Sequence, residues 1–185
     1  MQPMNPLAPA VLAQCADGDR SAWRALHREY FPVVHGFLRA LGVPAADLDD
    51  GSQEVFVLLL RTIGQFEGRS AFRTWLYRLC VTQATRARRR ARVRAKLGWL
   101  FGDDADRAVA NTAGTIAWDE AAGARRVQRA LDAMSEKHRL VLVLRELEGL
   151  EVATIAAIAG CPEATVWSRL HYARKEFEAS LEGQE

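Results

Sequence analysis

At 185 residues, with 49% apolar content and a formal charge of +2, the chain is long enough for one mid-sized domain or two small ones and can build a core. It has no apolar run long enough to span a membrane as a helix, and its three scattered cysteines form no Cys-x-x-Cys pair, which argues for a reducing compartment and buried structural thiols. The bland net charge averages strong local opposites. Arg69–Lys96 carries ten Lys or Arg and no acid, while Asp47, Asp49, Asp50 and Glu54 cluster just before it. Such separated blocks point to two partners, one polyanionic and one basic.

Taken in chain order, the pattern is helical throughout, with apolar residues recurring at three and four and no Asn-Gly or Asp-Gly hairpin signal. Leu12-Ala13-Gln14-Cys15 has the outline of a lipoprotein cleavage site but lacks a positive leader, so a first helix over about Pro9–Ala16 is expected instead. Gly18-Asp19-Arg20-Ser21 breaks that helix and caps a second, whose inner side carries Trp23, Leu26, Tyr30, Val33, Val34, Phe37, Leu38 and Leu41. Pro32 is placed to kink it. A third helix begins near Ala45 or Asp47 and runs through Gln53, Val55, Phe56, Leu59 and Leu60 toward Ile63.

After a loop over Gly64–Arg69, Ser70 is the expected cap of a fourth helix with the stripe Phe72, Trp75, Leu76, Leu79 and Cys80. Seven cations crowd into Arg86–Lys96 and point all around that helix, so this part is expected to be solvated or held against phosphates rather than packed on a core. Gly98–Gly123 reads as a flexible linker, interrupted by the apolar knot Leu97, Trp99, Leu100 and Phe101. Helices are then expected over Arg125–Met134, Glu136–Glu148 with Ser135 as cap, Glu151–Ala159 and Glu163–Glu182.

The last two helices have the pattern of a helix-turn-helix. Ile155, Ala156 and Ala159 pack the first, Gly160-Cys161-Pro162 makes the turn, and Val166, Leu170, Ala173 and Phe177 share one side of the second. The opposite side presents Ala164, Trp167, Ser168, His171 and Lys175, with Arg174 at its edge and Arg169 on the flank, as a major-groove reader would. An amphipathic bundle helix has the same periodicity, and the pattern alone leaves both readings open.

The ordered pieces GDRSAW, DLDDGSQEVF (Asp47–Phe56), FEGRSAFRTWLYRL (Phe66–Leu79), the arginine run and Leu131–Arg174 together resemble a bacterial sigma factor of the extracytoplasmic-function (ECF) type, within the primary sigma family. The resemblance covers most of the chain and implies an all-α fold of two small helical domains joined by a flexible linker: region 2 over 8–97, the linker over 98–124 and region 4 over 125–183. It implies a clamp-helix contact on core RNA polymerase through Asp47, Asp49, Asp50, Gln53 and Glu54. It implies minus-10 recognition, with a flipped base, by Phe66, Glu67, Gly68, Arg69, Ser70, Arg73, Arg78, Thr82, Arg86, Arg88, Arg89 and Arg90. For the minus-35 element it implies Thr165, Trp167, Ser168, Arg169, His171 and Arg174. The further implications are a grip on the polymerase flap, promoter DNA as ligand, an anti-sigma partner, a monomer when free of partners, no cofactor or metal, and a cytoplasmic, nucleoid-associated location in a bacterium.

Departures from the family pattern are Thr82 and Arg86 where Asn and Asp are common, Gly51 and Ser52 at usually apolar positions, and Trp167 and Tyr172 at usually basic ones. His27, His35, His138 and His171 lack partners at metal or triad spacing, so an enzyme is not expected. Two other readings fit the same charge pattern: a DNA-binding repressor or activator, and a helical adaptor whose arginines hold RNA or an acidic protein.

Overall fold

The computed structural model describes residues 9–68, 70–101 and 118–183. Arg69 and most of the expected linker lie outside the described residues, as do the side chains of Trp99, Leu100 and Phe101. Every regular element among the described residues is helical. In chain order they are α1 (Pro9–Ala16), α2 (Arg20–Ala40), α3 (Leu48–Thr62), α4 (Phe72–Phe101), α5 (Trp118–Ala133), α6 (Glu136–Leu142), α7 (Val152–Ala159) and α8 (Glu163–Glu182). Short 3₁₀ turns flank α3, and α6 continues into a π-helical turn over Val143–Leu147.

Asp19 caps α2: its Oδ1 accepts from the Ser21 and Ala22 amides at 2.6 and 2.9 Å, satisfying donors that the helix start leaves open. The Trp23 indole donates to the Cys15 carbonyl at 2.8 Å and ties α1 to α2. Pro32 lies on the exposed side of α2, and the helix continues through it. Leu26, Tyr30, Val34, Phe37 and Leu38 are buried against α3 and α4. Tyr30 meets the Phe72 ring edge-on at 5.2 Å, and Phe37 packs on Tyr77 at 4.5 Å.

The two unusual residues of α3 both face inward. Ser52 is fully buried with its hydroxyl donating to the Leu48 carbonyl at 2.8 Å, so its polarity is satisfied within the helix. Gly51 faces Leu38 and Val43, where an added Cβ would lie at ordinary contact distance. Leu60, by contrast, stands 57% exposed.

Four expectations about the middle of the chain are corrected. α4 opens with the Ala71 carbonyl accepting from the Thr74 and Trp75 amides, so its start falls one residue beyond the Ser70 cap. α4 then runs through Gly98 to Phe101, because one glycine costs less than the strong helix formers around it supply. The arginine run is not wholly solvated either: Ala84 and Ala87 are buried, and the small residues among the cations let α4 lie against its neighbours. Further on, α5 starts at Trp118, seven residues before the expected Arg125.

The second bundle is held by Val141, Leu144, Ile155, Val166, Leu170 and Ala173, with Ser135 capping α6 through the His138 amide. It packs directly on the first, so the buried apolar residues of both halves form one continuous cluster. Arg139, only 3% exposed, anchors the seam. Its guanidinium donates to Leu41 O at 3.1 Å and to the Asp132 and Met134 carbonyls at 3.0 Å each. Gly42 (φ +77°) makes room for it, since a Cβ there would sit 1.6 Å from Arg139 Nη1.

Candidate polymerase and promoter surfaces

The acidic start of α3 forms one exposed face of Asp49, Asp50 and Gln53. Its flanks are pinned: Asp47 receives Arg94 at 2.5 Å, and Glu54 takes both terminal nitrogens of Arg90 at 3.1 Å. His35 approaches Asp49 at 3.5 Å. The face continues into Val57 and Leu60, which border a groove with Trp23, Arg24, His27 and Phe56. This apolar half was missed from the sequence, although Val57 and Leu60 follow Gln53 at the four- and three-residue steps that place them on its side.

On α4, Arg78, Thr82, Arg86 and Arg89 repeat at steps of four, four and three and make a single exposed stripe. The three arginines pair with no carboxylate among the described residues. Thr82 turns its hydroxyl back to the Arg78 carbonyl at 3.0 Å. The other cations expected to meet DNA are engaged within the chain: Arg90 with Glu54, Arg88 with Glu136 at 3.1 Å, and Arg73 with Glu148 at 2.5 Å. Beside α4, Phe66 stands edge-on to Phe72 at 5.7 Å and tilts against Trp75 at 5.4 Å, making a half-buried aromatic corner under Glu67, Gly68 and Ser70.

Arg73 and Tyr77, one helical turn apart, converge on Glu148 Oε2, which accepts from the guanidinium and from the phenol. Arg73 Nε also donates to the Tyr77 oxygen at 2.5 Å. Burial, then the hydrogen bond to Glu148, drives the Tyr77 phenol far above its ordinary value, and burial raises the Cys80 thiol likewise. Both groups stay protonated, so neither is a nucleophile.

α7 ends at Gly160 in the left-handed conformation (φ +62°), which turns the chain into α8. Val152, Ile155 and Ile158 bury the first helix of this pair, while Ala156 and Ala159 are only partly covered. Val166, Leu170 and Ala173 fix α8 from beneath. The opposite side exposes Trp167 (56%), Ser168, His171 and Tyr172 (58%), with Thr165 half-buried. Ser168 spends its hydroxyl on the Ala164 carbonyl at 3.2 Å. Arg169 leans back to Cys161 Sγ at 3.4 Å, and Arg174 is drawn to Glu146 at 2.8 Å. Trp167, Ser168 and His171 thus share one exposed side of α8, with Arg169 and Arg174 turned toward its flanks.

Three exposed helical surfaces thus stand on one chain: an acidic and apolar face on α3, a cationic stripe on α4 and the Trp167–His171 face of α8. Sequence profiles of "Sigma-70 region 2" and "Sigma-70, region 4" match residues 26–94 and 124–177. The RNA polymerase sigma-H factor of Pseudomonas aeruginosa is 32% identical over 173 residues, covering 89% of each chain. The chain belongs to the sigma-70 family, as an ECF-type sigma factor.

The ECF RNA polymerase sigma-E factor of Escherichia coli K12 is 30% identical over the same 89% of both chains. Among solved structures, CnrH in complex with the cytosolic domain of CnrY superposes with a TM-score of 0.69 at 22% identity, covering 95% of this chain and 97% of CnrH. The sigma factor RpoE in complex with the anti-sigma factor NepR from Bartonella quintana gives 0.64 at 21% identity, with 86% and 96% covered. These likenesses establish the shared fold. As an ECF sigma factor the protein directs transcription initiation and is not an enzyme, and its family implies RNA polymerase and DNA as partners. No described helix is long and apolar enough to cross a membrane.

Proposed function

We propose that this sigma factor docks on the polymerase clamp helices through the exposed face of α3. Asp49, Asp50 and Gln53 meet basic groups, while Val57 and Leu60 with the adjoining groove take an apolar side chain. Asp47 and Glu54 join that contact when Arg94 and Arg90 release them. A second groove, bordered by Val127, Leu131, Leu147 and Phe177, suits an apolar segment of the flap. Region 2 over 8–97 and region 4 over 125–183 are the working units, with 98–124 between them.

Promoter recognition divides between two helices. Trp167, Ser168 and His171 read the minus-35 major groove, Trp167 through apolar contact such as a thymine methyl, with Thr165, Arg169 and Arg174 on the rim. Arg78, Arg86 and Arg89, with Thr82 between them, track the minus-10 strand, joined by Arg73, Arg88 and Arg90 once they are freed. The loop carrying Phe66, Glu67, Gly68, Arg69 and Ser70 shapes the pocket for a flipped base. The observation that carries this reading is the cationic stripe of α4, without a carboxylate partner among the described residues, on the same chain as an open α8 face. A repressor needs the second but has no use for the first.

Its solved neighbours were captured with CnrY and with the anti-sigma factor NepR, which supports an anti-sigma partner here as well. As a partner of polymerase the protein belongs in the bacterial cytoplasm, at the nucleoid, and is a monomer until it binds. In-vitro transcription with core enzyme on a library of random promoters tests the whole reading. Selected initiation at templates sharing two spaced elements supports it, and core enzyme that ignores the protein removes it.

A further inference from the structure

The seam between the bundles sets carboxylates of the second half against cations of α4. Glu148 gathers the Arg73 guanidinium and the Tyr77 hydroxyl, and its side chain is 9% exposed. Glu136 Oε1 gathers Arg88 at 3.1 Å and Arg92. Each oxygen thus collects two donors from α4, the set a phosphodiester oxygen would attract. Two bonds to backbone carbonyls of the first bundle flank the pairs: Arg139 to the Leu41 carbonyl, and Gln128 Nε2 to the Arg39 carbonyl at 3.0 Å. Meanwhile Arg78, Arg86, Arg89 and the α8 face remain open.

We propose that Glu136 and Glu148 are built-in substitutes for promoter phosphates, holding the chain closed by occupying Arg73, Tyr77, Arg88 and Arg92 until single-stranded promoter DNA displaces them. This inference rests on the assignment of Arg73 and Arg88 to the minus-10 strand. The open cations of α4 make first contact with the strand, and its next phosphates compete for the occupied ones. DNA capture and release of region 4 are then one linked equilibrium: whatever loosens the seam tightens strand binding by the same factor.

The test uses the full chain and a fluorescent mixed-sequence single strand of about 20 nucleotides, long enough to follow α4. The Glu136→Gln, Glu148→Gln double variant should have a larger radius of gyration by small-angle scattering and bind the strand about ten-fold tighter. The same charge change at Glu178→Gln, Glu182→Gln should leave both readouts at wild-type values. An equal gain from that control, or an unchanged radius in the first variant, overturns the latch. The charge swap Arg73→Glu with Glu148→Arg gives an independent measure if the first variant folds poorly. It should keep the compact radius, and an expanded one refutes the pairing. Adding Arg73→Ala and Arg88→Ala to the opened variant should cancel the affinity gain. An expanded radius with no gain shows that the carboxylates only hold the bundles together; it removes the arginine assignment and overturns the competition.

Discussion

Arg78, Arg86 and Arg89 stand exposed in line on α4, with Lys96 beyond them, and answer to no described carboxylate, so removing the three isolates phosphate contact from folding. The triple change to Ala should leave thermal stability within about 0.5 kcal/mol, as expected for surface positions without buried partners. Each phosphate contact contributes about 0.9 to the slope of log K against log salt on duplex DNA and about 0.7 on a single strand. Three contacts therefore flatten the slope by about 2.1 to 2.7. Between about 50 and 200 mM salt the advantage of the wild type over the variant should shrink by about twenty- to forty-fold. Anisotropy of labelled promoter DNA bound by the reconstituted holoenzyme, titrated across that range, measures the slope directly. Arg90→Ala, tested alongside, should change it by less than one contact, because Arg90 must first surrender Glu54. A triple variant with the wild-type slope would refute the reasoning and leave the stripe a solvated helix face.

Asp49→Lys with Asp50→Lys should weaken core-polymerase binding in a pull-down, most at low salt, while the melting temperature stays unchanged; retained affinity would move the clamp contact elsewhere. Leu170→Ala, at a position 1% exposed, should destabilise the protein by about 2–5 kcal/mol in chemical unfolding, and a cost below about 1 kcal/mol would mean that α8 is seated by other residues. Asp19 bears on acid stability. The Ser21 hydroxyl, then the Ala22 and Ser21 amides, hold its carboxyl below the usual carboxylate range. The cap is therefore fully made above that range and lost as pH falls through the depressed folded value. Asp19→Asn should remove that part of the acid unfolding limb while preserving helix content at neutral pH by circular dichroism.

Local punctuation made much of this fold readable. Pro9, the Gly18-Asp19 break, Ser135 and Gly160-Cys161-Pro162 mark helix ends, and those ends fall where such residues satisfy or terminate backbone hydrogen bonds. Where punctuation is weak, as at Gly98 and ahead of Trp118, helix propensity prevailed and the elements run longer than the pattern suggests. The exposed side of α8 was legible because Val166, Leu170, Ala173 and Phe177 define its underside. Charge was legible only as composition. The pairings of Arg90 with Glu54, Arg94 with Asp47 and Arg73 with Glu148 join residues 36, 47 and 75 positions apart, and no local periodicity encodes them. Two blocks that read as separate surfaces therefore neutralise one another in part, and the cations left to act are those pointing away from every acid.

The cavity above Gly42 bears on how such chains diverge. A guanidinium from the far half of the sequence fills the space a methyl group would need. The two halves therefore cannot be exchanged freely between relatives. A hybrid that keeps Arg139 but brings a bulkier residue at position 42 would be wedged apart, and one that keeps Gly42 without the arginine would leave a hole over a bare carbonyl. Such a pair ties the inheritance of one half to that of the other.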